Sequence, residues 1–175
     1  MKALKYMGFV LTLSLLAVVL QHFKAPPPSS PESCNLSGEI TKVTDGDSVE
    51  IKDEDGTVHQ IRLAGIDAPE YNQSYGRAAK NFLAAIIDQQ SLCIEWDKAD
   101  RYKRLVGKIW YQGQDVNLQI VEAGLAWHYK YYEDEQTAAD RKLYAQAEQQ
   151  AKAAKKGLWQ GKKAVAPWDW RKGER

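Results

Sequence analysis

Several side chains between positions 47 and 70 have the chemistry needed to hydrolyse a phosphodiester. Asp47 and Asp67 are carboxylates of the kind that bind a hard divalent cation, and Arg62 carries a planar guanidinium that can grip a phosphate. Glu70 supplies a base for an attacking water, and a second arginine, Arg104, follows farther along the chain. This combination indicates metal-assisted cleavage of a phosphate ester.

The segment Asp45-Gly46-Asp47 joins the first two predicted strands, and two interpretations of it stay open. Asp and Gly are common in turns, so a hairpin turn explains the segment when it is taken alone. Metal binding gains support from Asp67, because a hard cation takes oxygen ligands from more than one segment and completes its shell with water. Asp47 at the start of one strand and Asp67 at the end of another can converge on one face of a barrel.

The two arginines each have a structural alternative. Arg62 lies between Ile61 and Leu63, so in a strand of period two it points away from the core. A salt bridge would explain it, but a planar fork at a carboxylate-rich face is better suited to a phosphate. Arg104 taken alone is an ordinary surface arginine.

Glu70 directly follows Asp67-Ala68-Pro69. Pro69 fixes its own φ and restricts Ala68, so the bend is stiff and aims Glu70 reproducibly. The alternative is a glutamate at a helix start, where the helix dipole favours negative charge.

The elements around these residues predict an α+β fold. Partly alternating, β-favouring residues predict strands, Asp55-Gly56 predicts a hairpin turn, and apolar residues at helical spacing predict helices. The predicted strands are Leu36–Thr44, Ser48–Lys52, Thr57–Ala64, Ser91–Asp97 and Arg104–Tyr111, and the predicted helices are Tyr75–Gln90, Val116–Ala123 and Asp140–Lys156. Strands without repeated βαβ alternation favour a small closed barrel over a parallel sheet.

In order, spacing and residue type, these segments resemble the staphylococcal (thermonuclease-like) nuclease family. The resemblance covers residues 38 to 159, and the motifs that carry it are Asp45-Gly46-Asp47, Ile61-Arg62-Leu63, Asp67-Ala68-Pro69-Glu70 and Asp100-Arg101-Tyr102-Lys103-Arg104. It implies a five-stranded OB-type β-barrel with about three helices.

The resemblance also implies an activity and a set of site residues. The metal ligands would be Asp47, Asp67 and the backbone carbonyl of Ala68, holding one Ca²⁺ ion; many relatives have threonine at the last position. The catalytic residues would be Arg62, Arg104 and the general base Glu70, with Tyr102 and Tyr132 contacting nucleotide. The implied activity is endonucleolytic cleavage of DNA and RNA with little sequence preference, at the bond to the 5′ oxygen, which leaves 3′-phosphate ends.

Two positions depart from the family pattern. The motif before Arg104 is usually Tyr-Gly-Arg, whereas this chain has Lys103 in place of the glycine, and lysine costs some strain if the position needs a positive φ. Near Tyr132 a tyrosine position of the family holds Lys130. Aromatic packing with Tyr129 and Tyr131 is the alternative to nucleotide contact for Tyr132.

The charge of the chain is nearly balanced, with 24 basic and 23 acidic residues and a formal net charge of +1. A protein that coats DNA non-specifically would be more basic, and near neutrality suits an enzyme that binds a polyanion locally and releases it. A catalytically silent OB barrel that binds nucleic acid or a protein partner is the rival interpretation. A silent module has no need for the whole set of carboxylates and arginines, and we expect a monomeric enzyme.

The first 33 residues are predicted to lie outside the folded domain. Lys2 and Lys5 precede an apolar run, so residues 1–24 are an N-terminal membrane anchor or a signal peptide. The run is short for a membrane span, but no small-x-small cleavage site follows it, and we favour the anchor. Residues 25–33 are a Pro/Ser-rich linker, and residues 34–175 are the nuclease domain. Either alternative places this domain outside the cytoplasm, tethered to the membrane or secreted or periplasmic.

Cys34 and Cys93 are the only cysteines of the chain. An exported chain resides where disulfides persist, and two cysteines can form one bridge. Two unrelated thiols are the alternative, with Cys93 packing as a small apolar group. We favour a disulfide that joins the start of the domain to a strand in its middle.

Overall fold

The computed structural model describes residues 34–161 and 163–173. The predicted anchor or signal segment and the proline-rich linker lie outside the described residues. Within the described ranges, no helix combines the length and the apolar character that crossing a membrane would require.

Three antiparallel strands form the first half of a barrel. They are β1 Leu36–Asp45, β2 Ser48–Asp53 and β3 Val58–Leu63, and each lies within two residues of its predicted bounds. Ile40 pairs with Ile51 and Val49 pairs with Ile61, so their side chains enter the same core. Gly56, with φ 82°, closes the turn between β2 and β3 as the Asp-Gly signal predicted.

Two further strands close the barrel. Strand β5 Ser91–Ala99 pairs with β1 and with β6 Leu105–Tyr111, and β6 in turn pairs in parallel with β3. The circuit β3-β2-β1-β5-β6 returns to β3 through pairs such as Ile61 with Leu105. Because every strand of this circuit has a partner on both sides, the prediction of a five-stranded barrel in an α+β fold is confirmed.

Short elements and helices complete the described part of the chain. The short strands are β4 Ile66–Asp67, β7 Gln114–Asp115 and β8 Trp127–His128. The helices are α1 Gly76–Ile87, α2 Val116–Glu122, α3 Ala138–Ala153 and α4 Pro167–Trp170, with 3₁₀ helices at Lys130–Glu135 and Gly157–Gln160. The third helix starts two residues before its predicted start because the Thr137 hydroxyl caps it by accepting from the Asp140 N–H.

Two glycines allow close packing where the motifs of the first half meet. A Cβ on Gly46 would lie 2.6 Å from the Ala79 side chain and 2.8 Å from that of Ala68. A Cβ on Gly76 would collide with the backbone carbonyl of Glu70. The turn between β1 and β2 therefore rests directly on α1, and the start of α1 rests on the loop that carries Glu70.

The predicted disulfide is present. Cys34, at the start of the described chain, bonds to Cys93 in β5, and their Cα atoms are 5.5 Å apart. The two cysteines are 59 residues apart in sequence. The bridge joins β1 and β5 at the position where Ser37 pairs with Cys93.

Replacing both Cys34 and Cys93 by alanine should lower the free energy of unfolding by about 4 kcal/mol, because the open chain gains the entropy of a long loop. Urea unfolding of the two proteins measures the difference. Reductant should destabilise the unaltered protein by a similar amount and leave the double variant unchanged. If reductant leaves the unaltered midpoint in place, the bridge does not contribute.

Candidate active site

The two carboxylates predicted to bind metal are brought together by Arg62. One guanidinium nitrogen lies 3.1 Å from Asp47 Oδ2, and the other donates to Asp67 Oδ1 at 2.8 Å. Asp47 is 6% exposed and Asp67 is 1% exposed, so both charges are nearly excluded from water. A single planar group spans both carboxylates, which are therefore close enough to share one cation.

The turn that carries Asp47 is fixed by hydrogen bonds to the neighbouring strands. Asp47 Oδ2 accepts from the Ala68 N–H at 2.7 Å, and Oδ1 accepts from the Ser48 hydroxyl at 3.1 Å. The Asp47 carbonyl accepts from the Leu63 N–H at 2.9 Å. The end of β3, the residue that follows β4 and the turn after β1 are therefore joined in one corner.

The donor set at this corner suits a hard cation. Carboxylate oxygens from Asp47 and Asp67, with a backbone carbonyl such as that of Ala68, are the ligands that Ca²⁺ and Mg²⁺ take. Across residues 34–161 and 163–173, no cluster of three or more His, Cys, Asp or Glu side chains has the arrangement of a complete metal site. A cation here would depend on water and backbone oxygen for the rest of its shell.

Negative charge is crowded at the corner. Burial and then the neighbouring charge of Asp47 raise the pKa of Asp45 to about 7, against hydrogen bonding from the Asp47 N–H and the charge of Arg62. Burial also raises the pKa of Asp67, although hydrogen bonds from Arg171 and the charge of Arg62 oppose the shift. Asp47 contacts Arg62 directly, whereas Asp45 contacts no arginine in the described structure and has less compensation for its burial.

Arg104 lies beside the corner, just before β6. Its side chain pairs with Asp100 at 2.7 Å and lies over the ring of Tyr102, with 5.6 Å from the guanidinium carbon to the ring centroid. Lys103 has φ 65°, so the position where the family has glycine does use the left-handed region. The carbonyl of Asp100 accepts from the Lys103 N–H at 2.9 Å, which holds this turn despite the lysine.

Glu70 lies in the loop between β4 and α1 and not at a helix start. Because α1 begins at Gly76, the interpretation of Glu70 as a helix-start residue is wrong. Its N–H donates to Gln73 Oε1 at 3.1 Å, and its carboxylate accepts from Arg171 at 2.9 Å. The side chain is 36% exposed, so it remains accessible to a water or a phosphate.

The two predicted nucleotide-contacting tyrosines are both solvent-accessible. Tyr102 is 65% exposed and Tyr132 is 45% exposed. The Tyr132 ring also makes edge contacts with Tyr129 at 5.2 Å and Tyr131 at 4.9 Å, so aromatic packing and an exposed ring face occur together. Lys98 lies 5.6 Å from the centre of the same ring.

The predicted site residues border one cleft of about 830 Å³. Its wall includes Asp45, Asp47, Arg62, Asp67, Ala68, Glu70, Tyr102, Arg104, Tyr132 and Arg171. The cleft is partly open to solvent, and its lining carries both carboxylates and basic side chains, among them Arg62, Arg104 and Arg171.

Sequence reasoning missed two members of this site. Asp45 belongs to a segment that turn chemistry alone explains, although its position two residues before Asp47 is a usable signal. Arg171 lies far along the chain, beyond all the motifs that carry the family resemblance. No local pattern connects it to Asp67 or Glu70. Only the tertiary structure brings it to them.

Comparison with known proteins identifies a family. The profile of the family described as "Staphylococcal nuclease homologue" matches residues 60–161. "Protein ParB" from Escherichia coli is 33% identical over 153 residues, covering 82% of this chain and 84% of that protein. An "Uncharacterized endonuclease" from Haemophilus influenzae is 33% identical over 136 residues, covering 78% and 73%. A "Micrococcal nuclease" from Shigella flexneri is 32% identical over 153 residues, covering 82% and 85%.

Asp45→Asn should stabilise the cation-free protein more at pH 8 than at pH 4.5. A raised pKa favours the protonated carboxyl in the folded state, so stability falls as pH rises from about 4 to about 7 and the loss is complete above that range. Asparagine keeps the oxygen that accepts from the Asp47 N–H and never ionises. Thermal unfolding in chelator at both pH values measures the effect.

Asp55→Asn, in the exposed turn between β2 and β3, is the control for the loss of one negative charge. A gain for Asp45→Asn that is equal at the two pH values would show that Asp45 carries no proton at neutral pH.

Proposed function

The chain belongs to the staphylococcal nuclease family, and on this premise we propose that it is a Ca²⁺-dependent endonuclease that cleaves DNA and RNA with little sequence preference. Nuclease activity is the common theme of the relatives named as endonuclease and micrococcal nuclease. The product would carry 3′-phosphate ends, as the family resemblance implies.

One observation carries the proposal: two nearly buried carboxylates converge on one guanidinium at the edge of an open cleft. Asp47 and Asp67 lose their hydration there, and burying two carboxylates costs free energy. Arg62 offsets part of this cost, and a bound cation would offset more of it. The residues fit a Ca²⁺ ion through Asp47, Asp67 and the Ala68 carbonyl. When bound, the ion would supply Lewis-acid stabilisation of charge on the phosphate.

The other side chains of the site would supply the general base and the positive charge for the phosphate. Glu70 would accept a proton from the water that attacks phosphorus, and the bond from phosphorus to the 5′ oxygen would break. Arg62 and Arg104 would stabilise the charge that develops on the phosphate oxygens. A cation on Asp47 and Asp67 would compete with Arg62 for the same oxygens and leave its fork available to the phosphate.

The cleft supports a substrate recognised by its backbone and not by its sequence. Phosphate contacts from arginines position a nucleic acid without reading it, and exposed rings stack on any base. Tyr102 and Tyr132 offer such rings on the wall of the cleft. The near-neutral charge of the chain suits a substrate that must also be released.

The rival proposal is a silent barrel that only binds nucleic acid or protein. A silent barrel does not explain why Asp47, Asp67 and Arg62 lie together, whereas hydrolysis would use each of them. We therefore keep the enzyme as the proposal, and the first experiment below separates the two.

We further propose that the domain acts outside the cytoplasm, held by its N-terminal segment or released from it. The Cys34–Cys93 disulfide supports this placement, since such bridges persist in oxidising compartments. Two free thiols in protein taken from its own cells would contradict it.

Chelation should abolish cleavage of DNA and of RNA, and Ca²⁺ should restore it better than Mg²⁺. A shell with few carboxylates and several waters suits a larger, geometrically tolerant ion over a strictly octahedral one. Digestion of single- and double-stranded DNA and of RNA under each condition is the measurement. Thermal unfolding in chelator is the control, because it shows whether the fold persists without the metal. Full activity in excess chelator would contradict the proposal that a metal is required.

Glu70→Gln, Arg62→Lys and Arg104→Lys should each lower kcat by about 10²-fold or more, because a general base or a charge-stabilising contact contributes at least that much. Lysine keeps the positive charge between the buried aspartates but loses the two-pronged fork. Arg141→Lys, an arginine paired with Asp134 away from the cleft, is the matched control. Near-normal turnover of Arg104→Lys would remove Arg104 from the mechanism.

A further inference from the structure

The C-terminal segment 163–173 is anchored beside the loop that carries Glu70. Ala166 and Trp168 pack into a small apolar cluster with Trp127 and Leu158, and the Trp168 ring stacks on Tyr129 at 5.4 Å. This packing fixes the position of α4, which begins directly after Ala166 and contains Trp168, and places Arg171 at its C-terminal end.

The same segment is tied to the Glu70 loop by a second contact. The Gln73 side chain donates to the Val165 carbonyl at 2.7 Å, while its own carbonyl oxygen accepts from the Glu70 N–H at 3.1 Å. Gln73 is 7% exposed, so these bonds are shielded from water. The backbone of Glu70 is therefore held by a residue that the C-terminal segment itself holds.

Arg171 connects the carboxylate proposed as the base to a carboxylate proposed as a metal ligand. One nitrogen of its guanidinium donates to Glu70 Oε1 at 2.9 Å, and the other donates to Asp67 Oδ2 at 2.9 Å. Burial alone would lower the pKa of Arg171, but its hydrogen bonds to Asp67 and Glu70 outweigh this and raise it. Asp67 is 1% exposed and is also paired with Arg62, so Arg171 ties the partly exposed Glu70 side chain to a buried one.

We propose that Arg171 is a positioning residue of this active site: it holds the Glu70 carboxylate at the angle needed to take a proton from the attacking water. Among the described residues, the ion pair with Arg171 is the one that Glu70 makes. The loop from residue 68 to residue 75 has no regular structure of its own, so Glu70 takes its orientation from Pro69, Gln73 and Arg171. The match to the family profile ends at residue 161, ten positions before Arg171. The inference rests on the proposed function, because it takes Glu70 as the base.

Steady-state kinetics of the full chain loaded with Ca²⁺ test this role. Arg171→Gln should lower kcat by about 10- to 100-fold with KM within about twofold, because misplacing a reacting group costs that much while substrate binding is kept. Lys172→Gln, the next residue and an exposed one paired with Asp169, is the matched control and should keep the turnover of the unaltered protein. Unchanged kcat in Arg171→Gln would overturn the proposal, and so would a raised KM at normal kcat, which is the signature of a phosphate-binding arginine.

A double-mutant cycle separates positioning from any direct part in the reaction. If Arg171 acts through Glu70, adding Arg171→Gln to Glu70→Gln should lower the residual kcat by less than about twofold. A further loss equal to that of the single variant would mean that Arg171 acts independently of Glu70, and the proposal would fail.

Two readouts need no activity. Calorimetric titration with Ca²⁺ should show binding to Arg171→Gln that is at least as tight as to the unaltered protein, because a positive charge next to Asp67 is gone. Weaker binding would mean that the lost turnover reflects lost metal. The crystal structure of Arg171→Gln should show the Glu70 carboxylate moved or spread over several conformers, and an unmoved Glu70 would refute the role even if the chain proves to have no nuclease activity.

Arg171→Lys keeps the test decisive if the glutamine variant unfolds. Lysine keeps the charge and the aliphatic stem, but one ammonium cannot bridge two carboxylates as a guanidinium does, so kcat should fall by about three- to tenfold with the Tm close to that of the unaltered protein. A lysine variant with full kcat would show that bridging is not needed.

Discussion

The Arg62 guanidinium allows two aspartates to be buried next to each other, and the geometry of the site depends on that contact. Asp47 and Asp67 each lose hydration, which costs several kcal/mol per ion unless an opposite charge compensates. The 2.8 Å and 3.1 Å contacts of Arg62 supply that charge and fix the distance between the two carboxylates. Removing one partner of such a network leaves a buried charge alone, at a cost of about 3–5 kcal/mol. The same network therefore supports the fold of this corner and holds together the two carboxylates that we propose as metal ligands.

The closed barrel makes this contact possible. Arg62 is next to the last residue of β3, and β3 is held on one side by β2 and on the other by β6. The parallel pairing of Arg62 with Val106 places the start of β6, and with it Arg104, on the same face of the barrel as the β1–β2 turn. Parallel pairing of this kind needs a crossover connection, which here contains α1 and β5. The chain therefore brings two arginines from distant segments to one cleft through strand register alone.

The sequence predicted the five barrel strands, the three longer helices and many residues of the cleft because those features have local signals. Period-two alternation marked β3 and so the direction of Arg62, and Pro69 marked the stiff bend before Glu70. Arg171 had no such signal, because its role depends on packing between Trp168 and Tyr129 across the fold. The local pattern of one segment does not show which distant segment it packs against. A single sequence therefore shows the residues that take part in a tertiary contact but not which of them are partners.

The charges of the corner form one connected network with more carboxyl groups than guanidinium groups. In the ion pairs described, Asp47, Asp67 and Glu70 meet only Arg62 and Arg171, and Asp45 has no ion pair. Burial and then the charge of Asp47 raise the pKa of Asp45. A proton on Asp45 relieves part of the excess at neutral pH, and a dication would relieve all of it. If the site binds Ca²⁺ as we propose, protons and the cation would compete for the same excess charge. Binding of the ion would then favour loss of the proton from Asp45, a residue that need not touch the ion.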